Sequence, residues 1–179
     1  NLDKAITFIS ENGFREQKSW KQLNLSTSKI IRFLRKINIK KGDRVVAYMP
    51  NTIETVEAFI ASSSIGSIWS SCSPDFGIKG VVERFSQINP KVLFITDQYF
   101  YNGKSINILE RLPKILKYIP SIKYVVVVNY PGKRLIKKNK KLKKINLFKW
   151  NKLMQINSEK ITFKKFDFEN ELAILYSSG

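Results

Sequence analysis

Histidine is absent from the 179 residues of this chain, and cysteine occurs once. Without histidine, no Cys–His pair can act as nucleophile and base within it, so Cys72 reads as a packing residue. A lone cysteine also rules out an internal disulfide framework and fits a reducing compartment, the cytoplasm. Acidic residues are scarce: 14 Asp and Glu stand against 32 Lys and Arg, for a formal net charge of +18. Long apolar runs are missing too. The longest candidate, residues 124–128, has strand length, far short of the roughly 20 residues a membrane-spanning helix needs. No membrane partner is expected. Alanine contributes only five residues, whereas Lys, Asn and Ile make up 62. AT-rich codons encode those three, so base composition alone inflates the positive charge. Residues 133–144 hold eight Lys or Arg in twelve positions, yet no aromatic is interleaved there for base stacking. This stretch reads as a solvated loop, and no nucleic-acid partner is expected. A basic module for nucleic acid or an anionic surface is the alternative from another class.

What is present is concentrated in residues 42–97. These 56 residues read as strand, helix, strand, helix and strand with hardly a spare loop, which predicts a parallel sheet. Apolar runs mark strands at 44–49, 66–69, 91–95 and 121–129. Ile53, Val56, Phe59 and Ile60 form one helical stripe, Ile78, Val81, Val82, Phe85 and Ile88 another. Asn51 with Glu54 suggests the first helix start, and capping accounts for Glu54 and Glu57 there. Asn89-Pro90 ends the second helix. Upstream, Asn12-Gly13 signals a hairpin, and Ser19 with Gln22 fits a capping box. The helix it opens buries a face carrying Trp20, Leu23, Thr27, Ile30, Leu34 and Ile37. Downstream, the pattern predicts a loop at 99–104, a helix over 105–118 disturbed at Pro113, a short helix at 150–155 and a buried strand at 172–176. Residues 132–171 read as largely a surface excursion. The fold class is therefore α/β, a parallel-sheet layer with flanking helices.

Two places carry chemistry. Ser177-Ser178-Gly179, after an apolar run, suggests the opening of a phosphate-binding loop, where small residues admit the backbone and N–H groups point inward. It lacks the Gly-Lys-Ser/Thr ending of a Walker A motif. The chain starts at Asn1 and stops inside this motif, so it reads as a piece of a longer polypeptide. The second place is the run from Trp69 to Gly77, Trp-Ser-Ser-Cys-Ser-Pro-Asp-Phe-Gly, at the end of a predicted strand, where parallel sheets bind ligands. Taken alone, Asp75 is a turn or helix-start residue, Phe76 packs, and Glu83 and Arg84 are helix surface.

Together these segments resemble the N-terminal part of the large domain of adenylate-forming acyl-CoA synthetases. SWKQL, GDRVVAYMPN, NPKVLFITD and LAILYSSG all fall in that family's order. The block IWSSCSPDFGIKGVVERFSQINPK is similar to the branch that activates acetoacetate. Acetyl- and propionyl-CoA synthetases mostly carry Gly-Gly-Phe where Pro74-Asp75-Phe76 stands, and they are the alternative within the family. The resemblance implies that residues 1–179 are a partial AMP-binding domain cut at the ATP loop. It also implies ATP, Mg2+ and coenzyme A, with acetoacetate as acid substrate and the remainder of the chain as partner. Ser177, Ser178 and Gly179 would begin the pyrophosphate cradle. The turn with Asp75, together with Gly103 and Lys104, would face coenzyme A. Lys104 stands where related acetyl-CoA synthetases use Arg, keeping the charge but losing the bidentate fork. No metal ligand and no catalytic residue is expected within this stretch.

Overall fold

The computed structural model describes residues 3–131, 145–157 and 163–177. Strands β1 (Lys4–Ile9) and β2 (Arg15–Ser19) form an antiparallel hairpin around Gly13. Helix α1 (Trp20–Lys36) follows directly, opened by the capping box: Ser19 Oγ accepts from Gln22 N–H and the Gln22 side chain accepts from Ser19 N–H. β3 (Arg44–Tyr48), α2 (Ile53–Ser63), β4 (Ile68–Cys72), α3 (Ile78–Ile88) and β5 (Val92–Thr96) then alternate as the pattern predicts. β6 (Gln98–Tyr101), β7 (Lys104–Asn107), a 3-10 turn at Leu109–Arg111, α4 (Leu112–Tyr118), β8 (Tyr124–Val128), β9 (Asn146–Lys149) and α5 (Trp150–Leu153) complete it.

The central sheet is parallel throughout, in the order β4-β3-β5-β8-β9. Its inner strands β3, β5 and β8 are buried on both faces, which is why they read as unbroken apolar runs. Alternate residues feed two cores. Val45, Ala47, Val92, Phe94 and Val126 meet α1, α2 and α5 on one side. Val46, Tyr48, Leu93, Ile95 and Val125 meet α3 and α4 on the other. Each fully buried side chain of this size contributes about 1.5–3 kcal/mol. At the N-terminal edge of the sheet, Arg44 donates to the carbonyls of Ile88 (2.5 Å), Gly42 and Asn89. It thereby caps the carbonyl end of α3, where a cation is favoured.

Several expectations fail for identifiable reasons. Trp20 sits in the first turn of α1, beyond the sheet, and is 56% exposed, whereas Leu23, Thr27, Ile30 and Leu34 are buried as predicted. The N-cap of α2 is Thr52, not Asn51, and makes no side-chain cap bond. Glu57 is no capping residue: it is fully buried and pairs with Lys18 at 2.8 Å, pinning β2 to α2. Residues 98–107 form a hairpin rather than a loop and a helix start, because Asn102 (φ 47°) and Gly103 (φ 71°) make a left-handed turn. Pro113 does not disturb α4 but stands in its first turn, where its missing N–H costs nothing. The stretch 132–171, expected as an excursion, contributes β9 and α5 to the sheet layer. The expected strand 172–176 pairs at one residue only, Ala173, against Trp69 of edge strand β4, with Leu172 and Leu175 exposed. The basic run 133–144 lies outside the described residues.

Candidate active site

The strand order reverses around β3: the chain leaves it toward β4 on one side and returns as β5 on the other. Loops diverging from such a reversal leave a crevice at the carboxyl ends of the strands. A cavity of about 240 Å³ opens there. Met49, Pro50 and Asn51 after β3, Cys72 at the end of β4 with Ser73 to Asp75 after it, and Tyr99 to Tyr101 of β6 line it. The unexpected hairpin of β6 and β7 thus supplies one side of the cavity. Tyr99 and Tyr101 stack there with ring centroids 6.2 Å apart.

The turn at residues 73–76 is held from beneath. Tyr48, fully buried at the end of β3, brings its hydroxyl within 2.5 Å of the Phe76 carbonyl and 3.2 Å of the Pro74 carbonyl. Arg111 of the 3-10 turn donates through Nη1 to both carbonyls at 3.0 Å and to the Tyr48 hydroxyl. One guanidinium and one phenol therefore fix a turn that is remote from both in sequence. Burial raises the Tyr48 pKa above its ordinary value, against the opposing pull of Arg111, so the phenol stays protonated.

Above this clamp, Asp75 is tied by its side chain. Its carboxylate accepts from Ser73 Oγ (2.6 Å) and Tyr99 OH (2.6 Å). Those two hydrogen bonds, Ser73 first, hold its pKa below the usual carboxylate range, so it is an anion at neutral pH. Burial, followed by the bond to Asp75, pushes the Tyr99 hydroxyl up. Asp75 is neither a helix cap nor a free side chain, since the N-cap of α3 is Gly77. Cys72, behind the turn, is 3% exposed, and burial raises its thiol to about 11. A protonated, buried thiol is a poor nucleophile, in keeping with its reading as a packing residue.

Arg84 is not the plain surface residue expected. Its guanidinium lies 4.3 Å from the Phe76 ring centroid and 5.8 Å from that of Tyr176. Tyr176 in turn donates its hydroxyl to the Arg84 backbone carbonyl at 2.5 Å. The segment that runs into Ser177 is thus tied to α3 beside the 73–76 turn. Ser177 itself is exposed, and Ser178 and Gly179 lie outside the described residues. Gly103 and Lys104 stand at the tip of the β6–β7 hairpin, both exposed, with Lys104 paired across the hairpin to the wall residue Tyr101. Neither belongs to the cavity wall. Tyr48, Tyr99 and Arg111 escaped the sequence reading, although a tyrosine ending a buried aliphatic strand is itself a signal, because its hydroxyl must find a partner. Among the described residues no group of three His, Cys, Asp or Glu could hold a metal ion, and no helix is long and apolar enough to cross a membrane.

The model of the AMP-binding enzyme family matches residues 3–179. The chain belongs to the AMP-binding enzyme family. Within that family it is similar to acetoacetyl-CoA synthetases over almost its whole length. The enzyme of that name from Gallus gallus is 39% identical over 182 residues, covering 99% of this chain and 27% of the relative. That from Xenopus tropicalis is 40% identical over 182 residues, with the same coverage. A solved structure, acetoacetyl-CoA synthetase from Streptomyces lividans, superposes with a TM-score of 0.87 at 28% identity, covering 99% of this chain and 26% of the other. This AMP-binding chain therefore spans about a quarter of the length of the curated relatives it matches. The family resemblance drawn from SWKQL, GDRVVAYMPN, NPKVLFITD and LAILYSSG holds, and the parallel sheet with flanking helices is the fold that the apolar pattern predicted.

Proposed function

We propose that this chain is the N-terminal part of the large domain of a longer acid–CoA ligase that converts acetoacetate, ATP and coenzyme A into acetoacetyl-CoA, AMP and pyrophosphate. The carboxylate oxygen of the acid attacks the α-phosphorus of ATP and pyrophosphate leaves, giving an acyl-adenylate. The coenzyme A sulfur then attacks the acyl carbon, its proton passes to solvent, and AMP leaves. The observation that supports this reading best is the 73–76 turn. The block that sets the acetoacetate branch apart in sequence is the one that Tyr48 and Arg111 clamp at the wall of the strand-end cavity.

Ser177, Ser178 and Gly179 would begin the cradle for the ATP phosphates, offering backbone N–H groups and hydroxyls to negative charge. The cavity beside Asp75 would receive the nucleotide end of coenzyme A. Asp75, already ionised, suits hydroxyl or amino donors of a nucleoside, because a carboxylate accepts about four hydrogen bonds and two are in use. Lys104, with Gly103 leaving its approach open, would meet a phosphate as a point charge. The described residues offer no metal cluster, so Mg2+ would enter on the nucleotide phosphates, as that ion usually does. Nucleic acid and membrane have no part in this reading, and the reduced, buried Cys72 is in keeping with a cytoplasmic enzyme.

The test is AMP and pyrophosphate release by the full-length protein with acetoacetate, acetate and propionate. Release that requires an acid, with acetoacetate giving the highest kcat/KM, supports the proposal. Preference for acetate would move the enzyme to the acetyl/propionyl branch, and no acid-dependent release would remove the ligase reading.

A further inference from the structure

Arg84 touches both ends of the candidate site. Its guanidinium covers Phe76, which closes the turn after β4, and reaches the ring of Tyr176, the residue before Ser177. Its Nη1 also donates to the Gly80 carbonyl at 3.1 Å, which fixes the side chain along α3. A Cβ at Gly80 would lie 3.2 Å from the Phe76 ring and 3.4 Å from Arg84 Nη1. The absence of a side chain there is what lets Phe76 and Arg84 lie together on the helix. Tyr176 returns the contact through its hydroxyl bond to the Arg84 carbonyl. Phe76 and Tyr176, far apart in sequence, thus share one half-buried cation.

We propose that Arg84 is a positioning residue that couples the nucleotide-loop end of the site to the coenzyme A end. It touches no reacting atom and acts through the two rings. The guanidinium lies between the two rings, so a ligand that shifts Tyr176 and Ser177 also shifts the cation against which Phe76 packs. A ligand seated against the Phe76 turn acts on Tyr176 through the same cation. Such coupling is positive and reciprocal: each ligand tightens the other by the same factor.

This inference rests on the ligase reading, and its test separates the two. In the full-length enzyme, Tyr176→Leu, a change at the nucleotide end, should raise KM for coenzyme A as well as for ATP. Phe76→Leu should raise KM for ATP as well as for coenzyme A. Each cross effect should be about fivefold or more, the lower range of ordinary coupling, with the melting temperature unchanged. In an Arg84→Met background both cross effects should vanish, and Arg84→Lys, which keeps a cation over the rings, should restore part of them. Cross effects that persist undiminished in Arg84→Met, or that never arise in the single variants, overturn the inference and leave the ligase reading standing. A wild-type enzyme without ATP- and coenzyme A-dependent turnover overturns both.

Discussion

Replacing Arg111 by Met tests whether the clamp under the 73–76 turn shapes the coenzyme A end of the site. The substitution keeps the length of the side chain and removes the charge and all donors. One nitrogen, Nη1, serves the carbonyls of Pro74 and Phe76 and the Tyr48 hydroxyl, so its three bonds are not independent. A charge-assisted hydrogen bond contributes about 1.5–3 kcal/mol, and the shared donor makes about 2 kcal/mol a fair total. Tyr48 keeps an acceptor in the Phe76 carbonyl, so the turn loosens and is not expelled. If that energy serves to hold the cavity wall in place, KM for coenzyme A in the full-length enzyme rises by up to about 30-fold, at about 1.4 kcal/mol for each factor of ten. KM for ATP should move less, because the turn reaches Ser177 indirectly, through Phe76, Arg84 and Tyr176. Arg111→Lys should fall between, retaining charge without the planar fork. An Arg111→Met enzyme that melts like wild type and keeps its KM for coenzyme A within twofold would refute the reasoning.

Three further outcomes follow from buried groups. Gly66 has φ +73° and a Cβ there would lie 2.7 Å from the Phe166 ring, so Gly66→Ala should destabilise by about 1–3 kcal/mol; an unchanged melting temperature would contradict this. Glu57 and Glu16 both have pKa values raised above 4.5, chiefly by burial. The folded state therefore holds protons that the unfolded chain releases, and stability falls as pH rises from about 4.5 through the raised values. Hydrogen exchange of the β1–β2 hairpin, corrected for intrinsic rates, should show that slope, and Glu57→Gln should flatten it to the share owed to Glu16; an undiminished slope would argue against Glu57. Cys72, buried with its thiol raised to about 11, should resist alkylation at pH 8 and react on unfolding, as followed by mass spectrometry of its peptide; rapid labelling of the native protein would contradict its inertness.

The parallel sheet was legible because its information is local. Runs such as Val45 to Tyr48 and Val125 to Val128 are apolar on both faces, and the helices between them carry their own periodicity and stops. The β6–β7 hairpin was equally local, since Asn102-Gly103 is the same turn signal as Asn12-Gly13. It was missed because the stretch from its second strand onward, Ser105 to Tyr118, also reads as a helix. The site was only half legible. Position along the chain pointed to the 73–76 turn and to Ser177, but nothing local shows that Tyr48 and Arg111, 63 residues apart, converge on two carbonyls. Glu57 illustrates the same limit. On a helix surface a glutamate needs no explanation, and only the docking of β2 makes it a buried ion pair with Lys18. Arg84 reads as a charged helix position until Tyr176 arrives beside it from the far end of the chain.

The central claim is a choice of acid, and competition tests it most directly. The full-length enzyme would be given ATP, Mg2+, coenzyme A and equal concentrations of acetoacetate, acetate and propionate, with the thioesters resolved by mass spectrometry at low conversion. The ratio of products then equals the ratio of kcat/KM values, free of errors in enzyme concentration. Acetoacetyl-CoA as the dominant thioester is the predicted result. Acetyl-CoA or propionyl-CoA in excess would contradict it.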